Sequence, residues 1–146
     1  YAIRRIGGEL YVAGEQGLLL KFDRDSDRFV ALTTPYPGTL FGVVGHDRAV
    51  LAFGLRGNVV RSTDRGRSWQ AVPTGVAVGL TAGTLDARGR IVLVSQAGHV
   101  LASSDDGASF TPLKQQRAQP AAAVVGASAG TLVLAGPRGI QTVASS

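Results

Sequence analysis

Twenty glycines, no stretch of helically spaced apolar residues and a repeat near forty residues together predict an all-β chain. The expected architecture is a portion of a β-propeller, about four blades of four-stranded antiparallel meanders. The repeat is anchored by Gly17, Gly57, Gly98 and Gly139, spaced 40, 41 and 41 residues apart. An apolar run precedes each glycine: Leu10-Tyr11-Val12-Ala13, Val50-Leu51-Ala52-Phe53, Ile91-Val92-Leu93-Val94 and Leu132-Val133-Leu134-Ala135. Another follows each: Leu18-Leu19-Leu20, Val59-Val60, Val100-Leu101 and Ile140-Gln141-Thr142-Val143.

The strands of one blade are called a to d. In the second repeat they are expected at about 40–45, 49–54, 58–63 and 69–73. The a–b turns are short and polar, as in His46-Asp47 and Asp86-Ala87-Arg88-Gly89. The b–c turns carry the repeat glycine, which a positive φ would require. The d–a links are Pro35-Tyr36-Pro37-Gly38, Pro73-Thr74-Gly75 and residues 115–120. These marks divide a single domain, 1–146, into blade-like repeats at about 1–37, 38–77, 78–119 and 120–146. The fourth repeat stops within or just after its strand c, so the last blade is expected to borrow a strand from elsewhere. The chain opens on Tyr1, as expected of a fragment or a processed product of a larger propeller.

Composition excludes several classes of function. The 146 residues are 45% hydrophobic, 17% charged and 6% aromatic, a globular balance in which the core needs no metal or disulfide. With no cysteine there is no thiol catalysis and no zinc–thiolate site. No apolar run approaches the roughly 20 residues of a transmembrane helix, and no signal segment opens the chain.

Two motifs 41 residues apart share one pattern: Ser62-Thr63-Asp64-Arg65-Gly66-Arg67-Ser68-Trp69 and Ser103-Ser104-Asp105-Asp106-Gly107-Ala108-Ser109-Phe110. Phe29, 40 residues before Trp69, marks a degenerate first copy. A c–d hairpin leaves backbone N–H groups that no ladder pairs, and a carboxylate at Asp64 or Asp105 can accept them. Gly66 and Gly107 supply backbone freedom, and Trp69 and Phe110 are expected to drop into the core between blades. The predicted role is a turn clamp.

This Ser-x-Asp-x-Gly-x-Ser-aromatic pattern resembles the Asp-box (BNR) repeat of sialidase-like and photosystem II stability/assembly-factor-like propellers. The resemblance covers essentially the whole chain and implies the fold. It also implies a non-catalytic module that grips a protein partner, needs no cofactor and works outside the cytoplasm, in the periplasm or secreted.

Other motifs lack their context. Gly126-Ala127-Ser128-Ala129-Gly130 spells a nucleophile elbow, but the serine falls in an a–b hairpin and no acid or histidine follows it. Asp23-Arg24-Asp25-Ser26-Asp27 resembles the start of a calcium loop, yet Arg28 replaces the glycine and Thr34 the closing glutamate. His46 and His99 belong to different blades and opposite strand ends, without a second ligand in zinc-like spacing, so no metal site is expected.

Strand parity places a–b and c–d turns on one side and b–c turns and d–a links on the other. All eight aspartates fall on or beside the first side; with Glu9 they face eight arginines. The second side holds Arg56, Lys114, Arg117 and Arg138 against Glu15 alone, and carries the excess charge of the turns. The resembled propellers place their partner sites there. The candidate partner-binding residues are Arg56, Arg117 and Arg138, with Gln16, Asn58, Gln96 and His99 as polar neighbours and Tyr36 as an aromatic contact. Their chemistry suits charge-assisted hydrogen bonds to acidic groups of a protein or peptide.

The leading reading is therefore a protein-binding, assembly-factor-like module. The alternative is a fragment of a sialidase-like glycoside hydrolase. The basic side has three arginines, Tyr36 and Glu15, but no aspartate and no carboxylate pair, and the Arg-Ile-Pro opening of sialidases is missing. Nucleic acid is not the expected partner despite a net charge of +5: there are only two lysines, and most aromatics occupy core positions instead of forming a stacking platform. The open edges permit a homo-oligomer in which a second copy covers them.

Overall fold

The computed structural model describes residues 1–115, 117–128 and 130–145. It is all-β, with four antiparallel sheets in sequence order. The first contains β1 (Ala2–Ile6), β2 (Glu9–Ala13), β3 (Leu19–Asp23) and β4 (Arg28–Ala31). The second contains β5 (Leu40–His46), β6 (Ala49–Gly54), β7 (Val59–Ser62) and β8 (Gln70–Val72). The third contains β9 (Leu80–Leu85), β10 (Ile91–Ser95), β11 (Val100–Ser103) and β12 (Thr111–Pro112). The fourth has three strands, β13 (Ala123–Gly126), β14 (Thr131–Gly136) and β15 (Gly139–Ala144). Every strand pairs with its neighbour in sequence, so each sheet is a simple meander.

The side-chain alternation of β2 sorts its two faces. Tyr11 and Ala13 pack with Val43, Ala52 and Val60 of the second sheet, whereas Leu10 and Val12 point the other way. β6 and β10 lie in sheets covered on both faces and are buried at every position. That is why they read as unbroken apolar runs and not as alternating ones. Three apolar cores result, one per junction between successive sheets.

The four repeat glycines have φ between 73° and 108°, the left-handed region that favours glycine. At the first three, the following d–a link lies directly against the turn. A Cβ at Gly17 would stand 2.9 Å from the Tyr36 carbonyl oxygen, and one at Gly98 2.6 Å from the backbone nitrogen of Gln119.

The two acidic hairpins are built alike. The Ser62 hydroxyl, itself buried, donates to Asp64 Oδ1 at 2.7 Å and accepts the Gly66 N–H at 2.8 Å. Asp64 Oδ1 also accepts the Ser68 N–H at 2.9 Å. Ser103, Asp105, Gly107 and Ser109 repeat these bonds at 2.7, 2.8 and 2.9 Å. The Ser68 hydroxyl and N–H hold the Asp64 carboxyl well below the usual carboxylate range. The Ser109 hydroxyl, then that of Ser103, brings Asp105 down to about 2. A depressed folded-state pKa stabilises above the unfolded value of about 3.9, and that stabilisation is lost as pH falls through the folded value. The melting temperature should therefore drop between about pH 4 and pH 2, and Asp105→Asn should flatten the drop; an equally steep profile in that variant would refute the clamp.

Trp69 is 8% exposed in the core between the first two sheets, its Nε1 donating to the Gly66 carbonyl at 2.9 Å. Phe110 packs on the core between the second and third. Phe29 differs from its two counterparts: it is 42% exposed and rests edge-on against Phe22, with centroids 5.2 Å apart. Trp69 and Phe110 each lean on the preceding sheet, and the first sheet has none before it among the described residues.

Repeat-related cations clasp successive sheets. Lys21 of β3 donates to the Arg65 carbonyl at 2.7 Å, and Arg61 of β7 to the Asp106 carbonyl at 2.8 Å. Arg65 and Asp106 both sit at positive φ, 60° and 59°, at the tips of the next sheet's hairpin. Beside the first clasp Arg65 lies 3.8 Å from Glu9; beside the second Asp106 meets His46 at 2.9 Å and Arg48 at 3.3 Å.

Candidate partner-binding face

The b–c turns and d–a links lie at one end of the sheets and bond to each other, from one sheet to the next at Gly14 and within a sheet at Leu55 and Gln96. The Leu40 N–H donates to Gly14 O at 2.9 Å, Leu55 N–H to Thr39 O at 3.1 Å, and Gln96 N–H to Gly79 O at 3.0 Å. All eight candidate residues lie in these segments. The structure places them on successive turns and links of the four sheets.

The first patch surrounds Leu55. Its carbonyl accepts the Asn58 side-chain amide at 2.8 Å and the Tyr36 hydroxyl at 3.4 Å, so both residues also hold the turn that presents Arg56. Arg56 is exposed at φ 57°. Gln16, at the equivalent place in the first sheet, is exposed at φ 55°. The second patch is the β10–β11 turn. There His99 Nδ1 lies 2.8 Å from the Ser95 hydroxyl, which also accepts the His99 N–H at 2.9 Å, and Gln96 is exposed beside it. Arg138 is exposed in the β14–β15 turn. Arg117 lines a groove with Lys114 and β15. The one acid on this side, Glu15, accepts a hydrogen bond from the Tyr1 hydroxyl at 2.8 Å.

The electrostatics of the two ends differ. At the hairpin end, Arg48, Arg65 and Arg90 each pair with an acid, Asp106, Glu9 and Asp86. Burial pushes the Asp86 carboxyl up, but the Arg90 N–H and guanidinium, with the Arg88 N–H, outweigh it and bring it below its ordinary value. At the opposite end, no ion pair engages Arg56, Lys114, Arg117 or Arg138 among the described residues. Ser128 lies in the turn between β13 and β14, while Ala129 of the same motif is outside the described residues, as is Gln116 of the third d–a link.

One residue that the sequence left without a role is Arg4. Strands β1, β5 and β9 are first in their sheets, and each pairs on one edge only. Their other edge leaves carbonyls needing donors. The Arg4 guanidinium supplies two, to Val43 O and Gly83 O, each at 3.0 Å, and so ties three sheets together. A cation in an inner strand was the available signal, but nothing in the repeat marks it.

No protein-family model and no curated protein sequence matches the chain. Solved structures do match in shape. Virginiamycin B lyase from Staphylococcus aureus superposes with a TM-score of 0.78 at 14% identity, over 99% of this chain and 55% of that one. YCF48 bound to D1 peptide gives 0.73 at 15% identity, over 96% and 48%. The WD40 β-propeller domain of Doa1 gives 0.72 at 12% identity, over 90% and 45%. The fold is thus that of a partial β-propeller with four blades, in agreement with the sequence expectation. The chain spans about half the length of these structures.

Proposed function

We propose that this chain is a non-catalytic protein-binding module that holds acidic groups of a partner against the side formed by its b–c turns and d–a links. The observation that carries the reading is the charge imbalance: Arg56, Lys114, Arg117 and Arg138 stand at this end against Glu15 alone, whereas at the other end eight aspartates and Glu9 face eight arginines, of which Arg48, Arg65 and Arg90 are ion-paired. Gln16, Asn58, Gln96, His99 and Tyr36 would add hydrogen bonds and one aromatic contact around these cations. Likeness in fold to YCF48, which is known bound to a D1 peptide, supports peptide recognition as the class of activity. The same reading takes the Ser62–Trp69 and Ser103–Phe110 hairpins as Asp boxes that brace the scaffold, supported by their matching bond networks.

Hydrogen bonds to charged groups contribute about 1.5–3 kcal/mol each. Arg56→Glu together with Arg138→Glu should therefore weaken binding of a fluorescein-labelled Asp/Glu-rich peptide at least ~tenfold in fluorescence anisotropy. The melting temperature should not move, because both side chains are exposed. Undiminished binding by that double variant would refute the reading.

A further inference from the structure

Just before the four repeat glycines stand Gly14, Gly54, Ser95 and Gly136, and directly after them Leu18, Asn58, His99 and Ile140. Glycine holds the first of these places in every repeat but the third, where a serine stands in the same turn as a histidine. At Gly54 a Cβ would run into the Thr39 carbonyl oxygen, and at Gly136 into that of Pro120. The third turn accommodates the side chain, and its hydroxyl lies 2.8 Å from His99 Nδ1.

Ser95 is fully buried, and its oxygen accepts the Ala97 N–H at 3.2 Å and the His99 N–H at 2.9 Å. A hydroxyl has two acceptor lone pairs and one proton. Both lone pairs are taken by backbone donors, so the proton goes to His99 Nδ1. With Nδ1 accepting, the proton of the neutral ring sits on Nε2. Nδ1 faces the buried serine, so Nε2 points away from it; His99 is exposed, and no hydrogen bond engages Nε2 among the described residues. The pair is the reverse of a serine activated by a histidine: here the serine is the donor, and its oxygen is saturated and shielded from solvent.

We infer that Ser95 is a positioning residue that holds His99 in one tautomer and one orientation, and that the His99 Nε2–H donates to a carboxylate oxygen of the partner's acidic segment. The fixed proton makes Nε2 a donor and neither a base nor a metal ligand. The arginines of the same end supply charge, whereas a donor of set direction selects where the acceptor must lie. A group oriented before contact also loses less freedom on binding. The inference rests on the binding reading above and adds to it a contact that determines specificity.

The test has a spectroscopic arm and a binding arm. Long-range proton–nitrogen correlation spectra in mildly alkaline solution should show His99 in the Nε2–H tautomer. Ser95→Gly, which restores the residue of the other three repeats, should shift the His99 Nδ1 resonance because its donor is lost. An Nδ1–H tautomer in the unaltered protein would overturn the inference. In the binding arm, His99→Ala should weaken capture of the fluorescein-labelled Asp/Glu-rich peptide at least ~tenfold, the effect of losing a hydrogen bond to a charged group. His99→Gln, whose amide N–H can stand in for Nε2–H, should stay within about threefold of the unaltered protein. Equal losses in His99→Gln and His99→Ala would also overturn the inference, because no donor at that place is then being read. Binding that Arg56→Glu with Arg138→Glu weakens, while His99→Ala leaves it unchanged, overturns the His99 contact and leaves the broader reading standing. Binding insensitive to all these variants, or no saturable binding, overturns both.

Discussion

Trp69→Ala should destabilise the protein by about 3–5 kcal/mol, the range for truncating a buried aromatic. The ring is 8% exposed and packs into the same core as Ile6, Tyr11 and Val43, so its loss opens a cavity between two sheets and not within one. For a chain near 150 residues each kcal/mol moves the melting temperature by about 2–4 °C, which makes the change easy to measure calorimetrically. Trp69→Phe separates packing from hydrogen bonding. It keeps most of the apolar contact but removes the Nε1 donor from the Gly66 carbonyl, and should cost about 1 kcal/mol. A loss below 1 kcal/mol for the alanine variant would mean that the junction between the first two sheets does not depend on this ring.

Gly57→Ala should rank next, and Gly75→Ala provides its control. The two glycines have nearly the same φ, 76° and 78°, so the backbone cost of about 1–2 kcal/mol is common to both. Their surroundings differ. A methyl group at Gly57 would run into the Val76 carbonyl oxygen and stand 3.2 Å from the Thr74 hydroxyl, whereas at Gly75 nothing lies within 4 Å. Overpacking adds about 1–3 kcal/mol at Gly57 alone. Chemical denaturation of the two variants isolates that increment. Equal losses would show that the link from β8 to β9 yields freely, and that the repeat glycine is kept only for its dihedral angle.

Much of the fold could be read from the sequence, because the repeat encodes it locally. A glycine every forty or so residues marks a turn that needs positive φ and a close approach, and the apolar runs around it mark strands. The acidic hairpins were legible for the same reason: Ser62, Asp64 and Ser68 bond within one turn, so their spacing contains the geometry. What depends on a neighbouring sheet was harder to read. Phe29 aligns with Trp69, but alignment cannot say whether another sheet lies in front of it. Arg4 looked like any strand residue because its partners, Val43 and Gly83, are 39 and 79 residues away. The candidate face was legible as a side, since strand parity assigns every turn to one end. Its local contacts were not, because they depend on how links cross turns: the carbonyl shared by Tyr36 and Asn58, and the groove that Arg117 lines with β15.

The cation clasps between sheets have a consequence for assembly order. A backbone carbonyl is the same at every junction, so Lys21 could reach the third sheet's tip as readily as the second's, and this half of the clasp would tolerate a shuffled arrangement. The neighbouring carboxylate would not. Glu9 beside Arg65 attracts, but Glu9 beside Asp106 repels, and Arg48 beside Arg65 would do the same. Tandem arrays are prone to pairing the wrong units; here opposite polarity at the first two junctions disfavours exchanging the second and third sheets.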